Sequence, residues 1–210
     1  MLRARPNLAL ARRGGIDYLR LDKTKDKAYR FDHAFGPEQT TEELYNTTVR
    51  RVVDAVMTGF HGSCFAYGAT GSGKTYTMTG DAEHPGIMPR AISDLFALST
   101  TKHDDYKWRF SLVYVEIYNE RVKDLLNPLA GTDLDVREDA RKGTHVAGAV
   151  EVAVSSLQEI MELMNKGSLY RTTEATNCNE VSSRSHAVLT VNCVGVEKYV
   201  EGDAKPKKQM

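Results

Sequence analysis

The eight residues Gly68-Ala69-Thr70-Gly71-Ser72-Gly73-Lys74-Thr75 constrain this chain more than any other stretch. Glycine, four residues, glycine, lysine and a hydroxyl residue is the spacing of a loop that wraps phosphate. Its glycines permit positive φ and close backbone approach, so successive N–H groups can converge on phosphate oxygens. The preceding run Ser63-Cys64-Phe65-Ala66-Tyr67 reads as a buried strand, and residues 75–79 can start a helix whose N-terminus adds partial positive charge. In such a loop Lys74 reaches the β- and γ-phosphates as a point charge, and the Thr75 hydroxyl ligates the Mg²⁺ that bridges them. A glycine-rich turn without a ligand is the alternative, and the strand-loop-helix context argues against it. The motif implies nucleoside triphosphate binding and leaves the chemistry open.

The 210 residues suffice for one domain with a substantial core. Lys plus Arg and Asp plus Glu both number 28, so no global basic bias points to nucleic acid, and an anionic partner must be met by local patches. The three cysteines, Cys64, Cys178 and Cys193, are far apart and have no metal-ligand spacing, which fits a reducing intracellular setting. No apolar run approaches the length of a membrane span, and arginines interrupt the N-terminal segment where a signal peptide needs a continuous apolar core. Neither nucleic acid nor membrane is therefore expected as a partner.

Along the chain, residues 16–21 alternate and residues 29–32 follow a charged turn, which predicts a hairpin. Thr40 and Glu43 fit a capping box before a helix whose apolar face is Tyr45, Val49, Val52, Val53, Val56 and Met57, with Gly59 and Gly62 stopping it. Pro89 with Ile92, Leu95 and Phe96 predicts a second helix. Residues 108–118 give the longest strand candidate, apolar on both faces, and short strands are expected at 134–137 and within 145–154. A third helix starts near Ser155 or Ser156, with Gln158 or Glu159 completing a box, and Gly167 reads as its stop. Residues 177–186 then pack asparagine, three serines, arginine and histidine before a clean strand at 187–194. That density fits either a polar loop or a sensor of γ-phosphate and its metal.

Four segments in one order are similar to the kinesin motor domain: Phe31-Asp32-His33-Ala34-Phe35, the loop from Ala66 to Met78, Glu116-Ile117-Tyr118-Asn119-Glu120 with Asp124-Leu125-Leu126, and residues 179–186. The best match covers 28–194 of a partial motor domain spanning 1–210, with 195–210 a polar, mobile tail. Segments 127–139 and 182–189 look nearest to kinesin-8 types. The resemblance implies an α/β fold, the three-layer P-loop NTPase of kinesin type, with a central mixed sheet flanked by helices, here incomplete. It implies ATP and Mg²⁺ as ligands and an ATP-dependent motor that moves along microtubules, located on the cytoplasmic cytoskeleton. Tyr76 matches the position that packs on adenine, and Asn179 opens the segment matching the first switch loop. There Ser182 and Ser183 meet the γ-phosphate, metal or attacking water, Ser183 serving as a second metal ligand, while Arg184 pairs with a glutamate of the second switch.

Arg3-Ala4-Arg5-Pro6 matches the family's adenine-side segment, Arg3 and Pro6 being its binding residues, although only Met1 and Leu2 remain of the strand expected before it. No Asp-x-x-Gly-x-Glu follows the strand at 187–194. Weak nucleotide binding and little turnover are the expectation for these residues. The alternative reading is a non-motor isoform that binds nucleotide, tubulin or a motor partner without hydrolysis, with Arg141, Lys142 and His145 as tubulin-facing candidates against an ordinary solvated loop. Any homodimer would form through regions outside this sequence.

Overall fold

The computed structural model describes residues 31–103, 105–129, 133–140, 143–171 and 185–198, together with the backbone course of 2–3, 9–13, 16–20, 28–30 and 172–175. The chain divides into two compact units, Met1–Ala55 with Phe60–Ala91, and Val56–Gly59 with Ile92–Met210.

In the first unit, β1 (Leu2–Arg3) pairs in parallel with β5 (Ala34–Phe35). Strands β2 (Ala9–Arg13), β3 (Ile16–Arg20) and β4 (Ala28–Phe31) make an antiparallel sheet in that order. The expected hairpin is β3–β4, in the register Leu19↔Tyr29; β2 was not legible, because Ala9-Leu10-Ala11-Arg12-Arg13 shows no clean alternation.

The capping box is made in both directions. Thr40 Oγ1 accepts from Glu43 N at 3.1 Å, and Glu43 Oε2 accepts from Thr40 N at 2.9 Å. Helix α1 (Thr41–Leu44) continues through a π turn at Tyr45–Val49 into α2 (Arg50–Val56). Thr47 and Thr48 donate their hydroxyls to the carbonyls of Glu43 and Leu44, each at 2.7 Å, and this competition for first-turn carbonyls accompanies the widened turn. Tyr45, Val49, Val53 and Met57 are buried as the periodicity requires, and Gly59, at φ 96°, follows the end of α2.

The strand expected at 63–67 is absent. Those residues have no regular structure, and Phe65 and Tyr67 are 83% and 96% exposed. An apolar run becomes a strand only when a neighbour accepts its backbone ladder, and among the described residues none pairs with it. Beyond the glycine loop come α3 (Lys74–Met78) and α4 (Ile87–Thr101), the latter with Pro89 in its first turn.

The second unit is built on β6 (Tyr106–Tyr118). Strand β11 (His186–Glu197) pairs antiparallel along one edge from His186↔Ile117 to Glu197↔Tyr106, while β7 (Arg121–Asp124) and β10 (Val152–Val154) also pair antiparallel with β6. Phe110, Leu112, Tyr114 and Glu116, alternate residues of one face, are all buried; on the other face Ser111 and Val113 are half-buried, so the expectation of two fully buried faces holds only in part. Strand β7 was missed because its hairpin turn is Asn119-Glu120, both at positive φ (49° and 62°), without the glycine that would have announced it. The pair β8 (Val136–Asp139) and β9 (Gly143–Val146) forms a separate hairpin.

Helix α5 (Leu157–Ala175) starts as expected: Ser156 Oγ accepts from Glu159 N at 3.2 Å, and Glu159 Oε2 accepts from Ser155 N. These bonds, led by the Ser155 backbone, hold the Glu159 carboxyl below its ordinary range. The helix does not stop at Gly167. A Cβ at that position would stand 2.7 Å from Tyr114 Cδ1, so this glycine serves close packing of helix on strand in place of termination. Ile160 and Met164 are buried on the same stripe, each contributing about 1.5–3 kcal/mol by leaving water.

Candidate functional site: a glycine loop closed on a lysine

The loop 68–73 owes its path to two left-handed residues. Gly71 (φ 75°) and Gly73 (φ 86°) adopt conformations that side-chain-bearing residues rarely take, and a Cβ at either would meet nothing within 4 Å. The requirement there is for dihedral freedom, and the space beside both glycines is open. Ser72 N donates to Ala69 O at 3.1 Å, forming a turn inside the loop. Lys74 Nζ donates to Gly68 O at 2.9 Å and to Ala69 O at 3.0 Å, so the ammonium curls back over the loop's first carbonyls.

Behind the loop, α3 is anchored by Thr77 N donating to Gly73 O at 2.9 Å and by burial of Thr77. With five residues, α3 aligns few peptide dipoles, so the positive charge expected from its N-terminus is small beside that of Lys74. Thr75 is exposed and Tyr76 is 40% exposed, on the first turn of that helix. The segment that follows is clasped: Gly80 bridges Pro85, and Asp81 Oδ1 accepts from Glu83 N at 3.0 Å and His84 N at 2.7 Å. The His84 N–H bond is the chief cause that holds the Asp81 carboxyl low. Arg90 Nε donates to Pro85 O at 3.0 Å and its Nη2 stands 3.5 Å from Glu42 Oε2, tying the start of α4 to this clasp.

This arrangement fits a phosphate-bearing ligand. Lys74 spends its donors on neutral carbonyls, and an anionic phosphate oxygen is the stronger acceptor. Thr75 offers a hydroxyl for a hard cation, and among the described residues no cluster of histidine, cysteine or carboxylate forms a metal cage by itself. A magnesium ion here would be held jointly by Thr75 and the phosphates.

Other sequence candidates fall differently. The backbone of Arg3 lies in β1 in register with Phe35. Pro6, Asn179, Ser182, Ser183 and Arg184 lie outside the described residues, as do Arg141 and Lys142; of the tail expected at 195–210, residues 195–197 instead continue β11 in register with Trp108, Lys107 and Tyr106, and 199–210 lie outside the described residues. His145 is in β9, with Nδ1 3.1 Å from Gly143 O. Sequence reasoning passed over Arg171 and gave Glu116 no role beyond the segment that carries the resemblance: Arg171 Nε donates to Glu116 Oε1 at 2.9 Å, and the same guanidinium donates to Ser185. A carboxylate following the apolar run Leu112-Val113-Tyr114-Val115 was the available signal.

The kinesin motor domain family model matches residues 15–208. The chain belongs to the kinesin motor domain family. It is 47% identical over 175 residues to Kinesin-like protein KIN-8A of Arabidopsis thaliana, covering 83% of this chain and 24% of that protein. It is 45% identical over 175 residues to Kinesin-like protein KIF19 of Mus musculus, covering 83% of this chain and 18% of that one. These likenesses bear out the kinesin-8 character of the sequence. A solved chain described as a fast kinesin, with implications for ATPase mechanism and interactions with microtubules, superposes with a TM-score of 0.82 at 30% identity. That match covers 92% of this chain and 55% of the solved one, and establishes the α/β kinesin-type fold. The chain thus spans about a fifth to a quarter of the two curated relatives. Among the described residues, no helix of this kinesin motor domain is long and apolar enough to cross a membrane.

Proposed function

We propose that these residues form the nucleotide-binding part of an ATP-dependent microtubule motor. The carrying observation is the open glycine cradle of Gly71 and Gly73 with Lys74 folded over the loop, in a chain of this family. Backbone N–H groups of 68–75 bind the phosphates, Lys74 exchanges its carbonyl partners for β- and γ-phosphate oxygens, and Tyr76, with Arg3 and Pro6, serves the adenine. Thr75 and Ser183 would hold Mg²⁺, which would supply charge neutralisation of the triphosphate. Ser182 and Arg184 orient the γ-phosphate end, and Asn179 opens that segment. In the longer motors of this family, occupancy of such a site is coupled to movement along microtubules, which places this function on the cytoplasmic cytoskeleton.

The test is titration of Mg·ATP into the chain and into Lys74→Ala. Removing a charged donor from the phosphates weakens binding about 10- to 100-fold. Equal affinities would refute the assignment of Lys74.

A further inference from the structure

We infer that the second unit carries a binding cavity for a planar aromatic anion, separate from the glycine loop. The cavity measures about 870 Å³, within the range of small-ligand sites. It lies wholly inside the second unit, between the later part of α4, the start of β6, the link from β10 into α5, and Lys198 just past β11. No lining residue belongs to 68–75 or to the clasp at 80–90, which makes this site independent of the nucleotide reading.

Strand periodicity builds its floor. Side chains two apart on β6 share a face, so Tyr106, Trp108 and Phe110 stand in a row, with ring centroids 5.8 Å apart for the first pair and 6.4 Å for the second. Helix α4 adds Phe96, whose ring centroid is 4.6 Å from that of Phe110. Strand β11 meets Trp108 with Gly195, where a Cβ would stand 2.9 Å from Trp108 Cη2. The absent side chain gives the indole its room over that backbone.

These rings are not spent on the core. Phe110 is buried, but Phe96, Tyr106 and Trp108 are half-buried and keep part of their apolar surface in water. The polar group of the indole is satisfied, since Trp108 Nε1 donates to His103 O at 2.9 Å. What the row leaves for a ligand is therefore π surface, which favours an offset-stacked or edge-on aromatic ring at centroid distances of about 4.5–7 Å.

The sign of the ligand follows from the rest of the lining. A row of rings alone would draw a cation over its faces. Here Arg109 and Lys198 line the cavity and, among the described residues, no aspartate or glutamate does, so a cation meets repulsion and an anion attraction. Leu157 opens α5 at the same wall, and the first turn of that helix adds partial positive charge. The carboxylate of that turn, Glu159, is already engaged by Ser155 N at 2.6 Å and by Ser155 Oγ at 3.0 Å. An aromatic acid satisfies both halves of the lining at once, ring against ring and carboxylate toward the two cations.

Trp108 is the only tryptophan of the chain, so its indole N–H gives a single magnetic-resonance signal that reports on the cavity. The probe is naphthoate, titrated into the isotope-labelled chain while that signal is followed. Naphthalenemethanol keeps the rings without the charge, and cyclohexanecarboxylate keeps the charge without an aromatic ring. Naphthoate is expected to shift the indole signal saturably with a Kd of about 0.1–1 mM. Arg109 and Lys198 are exposed, so Arg109→Gln and Lys198→Gln leave the fold intact; each should weaken naphthoate about 2- to 5-fold and leave naphthalenemethanol unchanged. Phe96→Leu should weaken both aromatic probes about 3-fold or more, and Lys74→Ala neither. No saturable shift with naphthoate overturns the inference, as does cyclohexanecarboxylate binding as tightly as naphthoate. Naphthoate affinity untouched by both charge variants overturns it as well.

Discussion

Replacing Gly167 by alanine sets two effects of opposite sign against each other. In a helix interior alanine is favoured over glycine by about 1 kcal/mol, so propensity alone predicts a more stable protein. The added Cβ, however, would lie 2.7 Å from Tyr114 Cδ1, 2.8 Å from Cε1 and 3.2 Å from Leu125 Cβ. Ordinary carbon contacts are about 3.5–4.0 Å, so the ring or the helix must yield by nearly 1 Å. Tyr114 is 5% exposed and Leu125 4%, and such buried neighbours have little room to move. Overpacking of this kind costs about 1–3 kcal/mol, which exceeds the propensity gain and leaves a net loss of about 1 kcal/mol. Urea unfolding followed by far-ultraviolet circular dichroism should show a lower midpoint for Gly167→Ala at unchanged slope. In a Tyr114→Ala background the ring contacts are gone and only the milder 3.2 Å approach to Leu125 Cβ remains, so the penalty of the same substitution should shrink. A higher midpoint for Gly167→Ala in the parent chain would refute the packing role assigned to this glycine.

Asp124, 2% exposed, accepts from the N–H groups of Leu126 at 2.8 Å, Asn127 at 3.2 Å and Val150 at 2.7 Å. Asp124→Ala orphans all three donors and should cost about 3–4 kcal/mol in urea unfolding, with the Val150 amide losing hydrogen-exchange protection. Thr40→Ala removes one arm of a capping box and should cost about 1 kcal/mol by the same assay. Burial pushes the Cys193 thiol up to about 11, so roughly one molecule in a thousand carries the thiolate at pH 8, and iodoacetamide should label Cys193 slowly until the pH passes about 10, read by mass spectrometry. The folded state favours the neutral thiol, so that contribution to stability is complete below the unfolded value near 8.5 and is lost as pH rises toward 11.

What was legible in the sequence was local. The Thr40 and Glu43 box, the helix register through Tyr45, Val49 and Val53, and the positive φ of Gly71 and Gly73, though not of Gly68, are fixed by residues a few positions apart. What was missed depends on a partner distant in sequence. The run 63–67 is apolar enough for a strand, but periodicity says nothing of whether a neighbour is present to pair with it. Gly167 looks like a helix stop until Tyr114, far away in the chain, is seen to occupy the space of its absent side chain. Glu116 and Arg171 are 55 positions apart, and neither signals the other by local pattern. The β6–β7 hairpin escaped notice because Glu120 adopts a conformation that turn chemistry ordinarily reserves for glycine or asparagine.

The central claim is that the glycine loop and Lys74 hold the distal phosphates of a nucleotide. It is tested most directly by measuring the penalty of Lys74→Ala against ATP, ADP and AMP by calorimetric titration in the presence of magnesium. The penalty should be about 10- to 100-fold for ATP, smaller for ADP, and absent for AMP, which carries neither phosphate that Lys74 would contact. An equal penalty for all three nucleotides, or none for ATP, would contradict it.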